Sequence, residues 1–254
     1  MDAQRRIKLV VAYDGTNYCG WQTQPNGVTI EEKLDQAVSE IEGRPTRVIG
    51  ASRTDSGVHA LGAVCTFDTQ TRIPGEKFAY ALNAHLPEDI VVQASCEVPL
   101  TFHPRYDAKG KKYIYQILNR KLPLPNRRKD TYFYYRDLDL EAMQQAATCF
   151  VGEHDFTSFA SPHMTANTTV RRLDVCEVTR EGEILTITVQ GNGFLYNMVR
   201  IIAGTLLRVG AGAISPEQIP EILAAKDRDA AGPTAPAHGL TLVETFYEDS
   251  KENG

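Results

Sequence analysis

The stretch "TIEEKLDQAVSEIEGRPTRVIGASRTDSGVHALGAVCTF", residues 29–67, decides the fold. Its first part is helical, because Ile30, Leu34, Ala37, Val38 and Ile41 recur every three or four residues and fall on one face. Thr29 with Glu32 makes a capping-box start. Beyond Gly43 the pattern turns to strands at residues 46–50 and 62–67. Outward from this core, residues 8–13 read as a preceding strand. Residues 76–85 read as a second helix that ends before Pro87, and residues 90–98 as a further strand. The order strand, helix, strand, strand, helix, strand is the split β-α-β arrangement of a ferredoxin-like unit.

The second half repeats the theme. Strands are expected at residues 112–118, 132–136, 172–179, 183–190 and 241–247, and helices at 140–151, 194–209 and 216–225. The segments "LNRKLPLPNRRKD" and "DRDAAGPTAPAHG" read as loops. The expected class is α+β, in two halves of residues 1–104 and 105–254, with a site in the cleft between them.

With 254 residues and 42% hydrophobic content the chain is a globular protein with a substantial core. The N-terminal apolar run stops at Asp14, too soon for a signal segment or for a membrane span of about 20 apolar residues, so a cytoplasmic protein with no membrane partner is expected. Five scattered cysteines without a C-x-x-C pair predict reduced thiols and argue against a disulfide framework or a zinc site. The net charge of −5 disfavours a nucleic-acid partner, but the average hides a patch. Arg105, Lys109, Lys111, Lys112, Arg120, Lys121, Arg127, Arg128 and Lys129 are opposed in their span only by Asp107, while acidic residues gather in residues 29–43 and in the tail "YEDSKENG". Such asymmetry is a footprint for phosphate or a solvated basic loop, and charge alone leaves both open.

No phosphate-binding loop, dinucleotide fingerprint, H-E-x-x-H or G-x-S-x-G occurs. In "GEHDF", residues 152–156, three candidate ligands are adjacent on what reads as a turn and would not converge on one metal, so no metal site is expected. Asp55 stands apart. An Asp followed by Ser-Gly ahead of a strand is ordinarily a turn residue, yet Arg53 and the glycines of "GVHALG" give it company suited to a ligand. A lone carboxylate with basic partners suits nucleophilic or electrostatic work at a sugar or base. Tyr113 and Tyr115 share one strand face, as core residues or with Tyr113 stacked on a base. Arg200 interrupts the apolar pattern of Phe194, Met198, Ile201, Ile202, Thr205 and Leu206; it lies on a solvent stripe or is held by a carboxylate, and Asp55 still lacks a partner.

Six ordered blocks then carry a resemblance: "YDGTNYCGWQ", "SRTDSGVHALG", "NAHLPEDI", "FHPRYDAKGKKYIYQI", "GEHDFTSF" and "NGFLYNMVR". Over essentially its whole length the chain resembles the tRNA pseudouridine synthase A family, with Ser52 where Gly is usual and Asn197 where many relatives have His. The resemblance implies the pseudouridine synthase fold, two ferredoxin-like-related halves with a mostly antiparallel sheet and a central cleft. By position it implies Asp55 as catalytic aspartate, Tyr113 as active-site tyrosine and Arg200 as the basic partner of the aspartate. Arg53 would help hold a flipped nucleotide, and His59, Arg105, Lys109, Lys111 and Lys112 would complete the RNA-binding set. It further implies a homodimer that isomerises uridines at positions 38 to 40 of the tRNA anticodon stem-loop, without cofactor or metal. Alternatives that keep the scaffold are a pseudouridine synthase for ribosomal RNA or other tRNA positions, and a non-catalytic RNA-binding protein. A nucleoside glycosidase would want a second carboxylic acid, for which Asp55 has no candidate neighbour in the sequence.

Overall fold

The computed structural model describes residues 4–162 and 168–248, so residues 249–254 of the acidic tail lie outside the described residues. The chain forms two compact units, one from Met1–Lys109 with Leu242–Gly254, the other from Gly110–Thr241. Both mix helices with a mostly antiparallel sheet, the expected α+β class.

In unit 1 the elements run β1 (Arg5–Tyr13), α1 (Ile30–Glu42), β2 (Ile49–Gly50), β3 (His59–Thr69), α2 (Phe78–Asn83) and β4 (Ile90–Val98). β1 lies between β4 and β3, antiparallel to both, and β2 pairs with β3. This is the element order that the sequence predicts. β1 alternates strictly, burying Ile7, Leu9, Val11 and Tyr13, as a strand with one face in a core must. α1 turns Ile30, Leu34, Ala37 and Val38 inward; its Thr29 cap accepts from the Glu32 N–H at 3.3 Å, and Gly43 closes it in the left-handed region at φ 65°. The expected strand at residues 46–50 shortens to two residues because its lead-in bonds to α1 instead. Ser39 Oγ exchanges hydrogen bonds with Thr46, and Asp35 Oδ1 accepts from the Val48 N–H at 2.7 Å.

In unit 2 the elements are β5 (Gly110–Asn119), β6 (Tyr132–Tyr134), α3 (Leu140–Thr148), β7 (Gly152–Asp155), β8 (Val170–Glu181), β9 (Ile184–Gly191), α4 (Met198–Gly210) and α5 (Ile219–Ala225). The strands lie in the order β5-β9-β8-β7, with β6 parallel to β5. β7 corrects the reading of "GEHDF" as a turn: Gly152 to Asp155 pair antiparallel with Leu173 to Val170. Asp155 accepts from the Thr157 N–H and hydroxyl and pairs with Lys226 at 2.9 Å, which hold its carboxyl below the usual range. α4 starts four residues later than its apolar pattern suggests, because Asn197 takes the left-handed conformation (φ 62°, ψ 5°) and cannot continue a right-handed helix backwards. Within α4 only Arg200 and Arg208 are not buried. A last strand, β10 (Leu240–Phe246), returns the chain to unit 1.

Cys65 and Cys176 are buried free thiols, and burial pushes Cys176 up to about 12. Among the described residues no group of His, Cys, Asp and Glu could hold a metal ion, and no helix is long and apolar enough to cross a membrane.

Asp35 yields a test of how α1 holds the lead-in to β2. Burial raises its carboxyl to about 6, so the folded chain binds more protons than the unfolded one between the ordinary value of 3.8 and that point. Stability therefore falls as pH rises through this window. Asp35→Asn, which keeps an oxygen for Val48, is expected to flatten that fall and to add about 1 kcal/mol at pH 7, a figure discounted for a half-exposed group. Urea unfolding of both chains at pH 4 and pH 7 checks it.

Candidate active site

Asp55 sits half-buried in the loop between β2 and β3, and the loop is gripped by the segment that follows β1. The Trp21 N–H donates to the Thr54 carbonyl at 3.1 Å, and the Tyr13 and Thr54 hydroxyls bond at 2.8 Å. On the other side of Asp55, the Tyr18 carbonyl accepts from the Gly57 N–H at 3.3 Å and from the Ser56 hydroxyl at 3.2 Å. The two segments touch backbone to backbone. A Cβ at Gly15 would run into the Val58 carbonyl, and one at Gly20, which has φ 83°, into the Thr54 carbonyl. Tyr18 is tied down in turn by its hydroxyl, which donates to Asp89 at 2.5 Å, and Trp21 is 2% exposed against Gly50. The carboxylate is thus carried on a backbone fixed on both sides of it.

His59, at the end of this loop, is 8% exposed. Its Nδ1 accepts from the Gly15 N–H at 3.1 Å. Asp14 Oδ1 stands 3.2 Å from the same nitrogen but already accepts from the Thr16 N–H and hydroxyl, so the ring proton belongs on Nε2. Nε2 is buried with no hydrogen-bond partner among the described residues. Arg53 is the opposite case: it is exposed, and its guanidinium has no hydrogen bond or ion pair among the described residues.

In unit 2, β5 presents Tyr113 and Tyr115 on one face, opposite Val189 and Ile187 of β9. Tyr115 is core: it is fully buried, and its hydroxyl donates to the Pro236 carbonyl at 2.9 Å. Tyr113 is 8% exposed, its ring edge-on to Phe194 at 5.1 Å and 80°. Arg200, in the first turn of α4, is half-buried. Its Nε donates to the Ala235 carbonyl at 2.8 Å and its Nη1 to Asn197 Oδ1 at 2.8 Å.

The basic segment is less free than its sequence suggests. Lys109 pairs with Glu248, Arg120 with Glu183 and Lys121 with Asp137, acidic residues from elsewhere in each unit, and Arg127 pairs with Asp130 in its own loop. Among the described residues Arg105, Lys112 and Arg128 have no carboxylate within ion-pair distance. Lys111 is half-buried. Sequence reasoning gave no role to Tyr13, Tyr18 or Asn197; the first two lie in the block "YDGTNYCGWQ", whose glycines and lone Trp were the available signal.

A family model described as tRNA pseudouridine synthase matches residues 9–107 and 146–248. A protein named tRNA pseudouridine synthase A from Acetivibrio thermocellus is 49% identical over 243 residues, 96% of this chain and 100% of that one. One of the same name from Geotalea uraniireducens is also 49% identical over 243 residues, with the same coverage of 96% and 100%. A solved H/ACA RNP bound to a substrate RNA containing 2′-deoxyuridine is 13% identical, with a TM-score of 0.38 over 95% of this chain and 59% of that one, a loose likeness.

The grip on the Asp55 loop can be loosened at Gly20. Gly20→Ala forces a Cβ into the Thr54 carbonyl at a positive φ, and is expected to cost about 1–3 kcal/mol of unfolding free energy. The amides of Gly57 and Val58 should then exchange faster with solvent deuterium than those of β1. Unchanged exchange at Gly57 and Val58 would show that the loop holds its shape without the segment at residues 13–21.

Proposed function

We propose, from the premise that this chain belongs to the tRNA pseudouridine synthase family, that it isomerises uridine to pseudouridine in tRNA with Asp55 as its catalytic carboxylate. The observation that carries the assignment is the Asp55 loop. A carboxylate held half-buried on a backbone fixed on both sides is preorganised for one reacting position, as the family's chemistry requires.

The reaction breaks the N1–C1′ bond, turns the uracil, and joins C5 to C1′. The C5 proton leaves and N1 gains one, so every heavy atom of the nucleoside stays in the product and no group donor is needed. The target base has to leave its stack, at a cost of a few kcal/mol. In this reading Arg53, exposed and unpaired among the described residues, holds the displaced strand or its phosphate. Tyr113 faces the extruded uracil, and its hydroxyl, or a water on it, takes the C5 proton. Arg200, the basic partner of the aspartate that the family resemblance implies, supplies the positive charge that keeps Asp55 ionised. The uridines are those at positions 38 to 40 of the anticodon stem-loop, and the enzyme is a cytoplasmic homodimer in which each tRNA touches both subunits. Arg105, Lys112 and Arg128 contribute to the phosphate track, together with those of Lys109 and Lys111 that exchange their present partners for RNA. His59 serves the same site from below, through the Gly15 N–H that its ring accepts.

The test is tritium release from [5-³H]uridine-labelled tRNA. Asp55→Asn is expected to cut release by about 10⁴-fold or more while tRNA affinity stays within a few-fold of the native chain. Loss of affinity together with release would make Asp55 a structural turn residue. Tyr113→Phe keeps the ring and removes the hydroxyl; it should bind tRNA and release little tritium, and full release would end the proton-transfer role. Free uracil among the products would point to glycoside hydrolysis in place of isomerisation.

A further inference from the structure

Asn197 occupies a position at which a side chain normally has another task. It precedes α4 as its N-cap, where an Asn ordinarily turns its oxygen back onto the N–H groups of the first helical turn. Here the side chain makes no capping bond. Its Oδ1 instead accepts from Arg200 Nη1 at 2.8 Å, and its Nδ2 donates to Ser161 Oγ at 2.8 Å. Because a guanidinium can only donate, this pairing also settles which end of the amide is oxygen. The backbone there is left-handed (φ 62°, ψ 5°), a conformation that few residues other than Gly tolerate and that Asn tolerates best.

We infer that Asn197 is a positioning residue for the isomerisation: with the Ala235 carbonyl, its amide oxygen fixes the plane of the Arg200 guanidinium. The inference rests on the role given to Arg200 above. The Nε edge is held by Ala235 at 2.8 Å and one Nη by Asn197, so the planar group is fastened at two of its donors and cannot turn about its stem. The segment that holds it is anchored as well, since the Ala235 N–H donates to the Arg200 carbonyl at 3.0 Å. Both acceptors are neutral. They orient the cation without cancelling its charge, which a carboxylate at position 197 would do. The tether itself takes nothing from the charge of Arg200.

Asn197→Gly separates this role from a merely structural one, because Gly adopts the same backbone conformation more easily while both side-chain hydrogen bonds disappear. In single-turnover assays with tRNA, the variant is expected to lose up to about 100-fold in rate, with tRNA affinity and melting temperature unchanged. The specific readout is a double-mutant cycle with Arg200→Lys, whose ammonium has no plane to hold. Adding Asn197→Gly to Arg200→Lys should cost nothing further. A native rate for Asn197→Gly would overturn the inference, as would a loss that multiplies undiminished into the Arg200→Lys background. A rate loss that tracks a fall in melting temperature or in affinity would assign Asn197 to the fold instead. Asp55→Asn run alongside keeps the two levels apart. If that variant is inactive, the isomerase reading stands and the cycle judges Asn197 alone; if it turns over normally, the isomerase reading fails and this inference fails with it.

Discussion

The fixed backbone on either side of Asp55 is the constraint from which the rest of the site follows. A loop between two strands has few bonds of its own and would sample many conformations, each removing the carboxylate from any one reacting position. Here the loop is joined to the segment after β1 through Thr54 on one side and Ser56 and Gly57 on the other. That joining is possible only at backbone contact distance, which is why Gly15 and Gly20 lie opposite the Val58 and Thr54 carbonyls. Position 20 has a second reason to be Gly in its φ of 83°. The grip reaches into the core through Trp21 and across to β4 through the Tyr18 bond to Asp89, just ahead of that strand. Sheet, helix and loop in unit 1 thus converge on holding one short stretch of chain.

Unit 2 solves the complementary problem, that of a cation on an otherwise buried helix. α4 is apolar nearly all round, and an unsolvated guanidinium there would be costly without partners. Its described partners within the unit are a main-chain carbonyl and an amide oxygen. They replace water as hydrogen-bond acceptors and are themselves neutral, whereas Arg6 of unit 1 bonds to the Asp68 carboxylate at 2.7 Å, which raises its pKa. The left-handed start of α4 belongs to the same solution, since it turns the Asn197 side chain from the helix end to Arg200.

Much of this was legible in the sequence where local pattern and packing agree. α1, with its Thr29 cap and its buried stripe, and the apolar run of β1 needed no tertiary information. The order of elements in unit 1 followed from them. Asp55, Arg53 and Arg200 could be singled out because each is a charge out of keeping with its neighbours. Three features were hidden for identifiable reasons. β7 is four residues long, and its Glu-His-Asp composition mimics a turn, while the ladder that makes it a strand comes from residues far along the chain. The late start of α4 depends on one backbone dihedral, which an apolar pattern beginning at Phe194 does not reveal. The grip on the Asp55 loop is made by main-chain atoms, and backbone contact leaves almost no mark in a sequence beyond the glycines that permit it.

The basic segment shows how an acidic chain can present itself to a polyanion. Its lysines and arginines are drawn by sequence as a continuous patch, yet Lys109, Arg120 and Lys121 are each opposed by a carboxylate brought in by the fold, and Arg127 by Asp130 three residues on. The Lys109 and Lys121 pairs lie at the surface, where an ion pair is worth about 0–1 kcal/mol and is screened by salt. A phosphate that displaces such a carboxylate loses little, and releases counterions from the nucleic acid as it does so. The pairing keeps the chain from acting as an indiscriminate polycation, while Arg53, Arg105, Lys112 and Arg128, with no carboxylate partner among the described residues, remain as fixed points of attraction. Net charge of −5 and affinity for RNA are therefore compatible, because recognition depends on which few cations are unpaired and where they stand, and the sum over the chain does not record that.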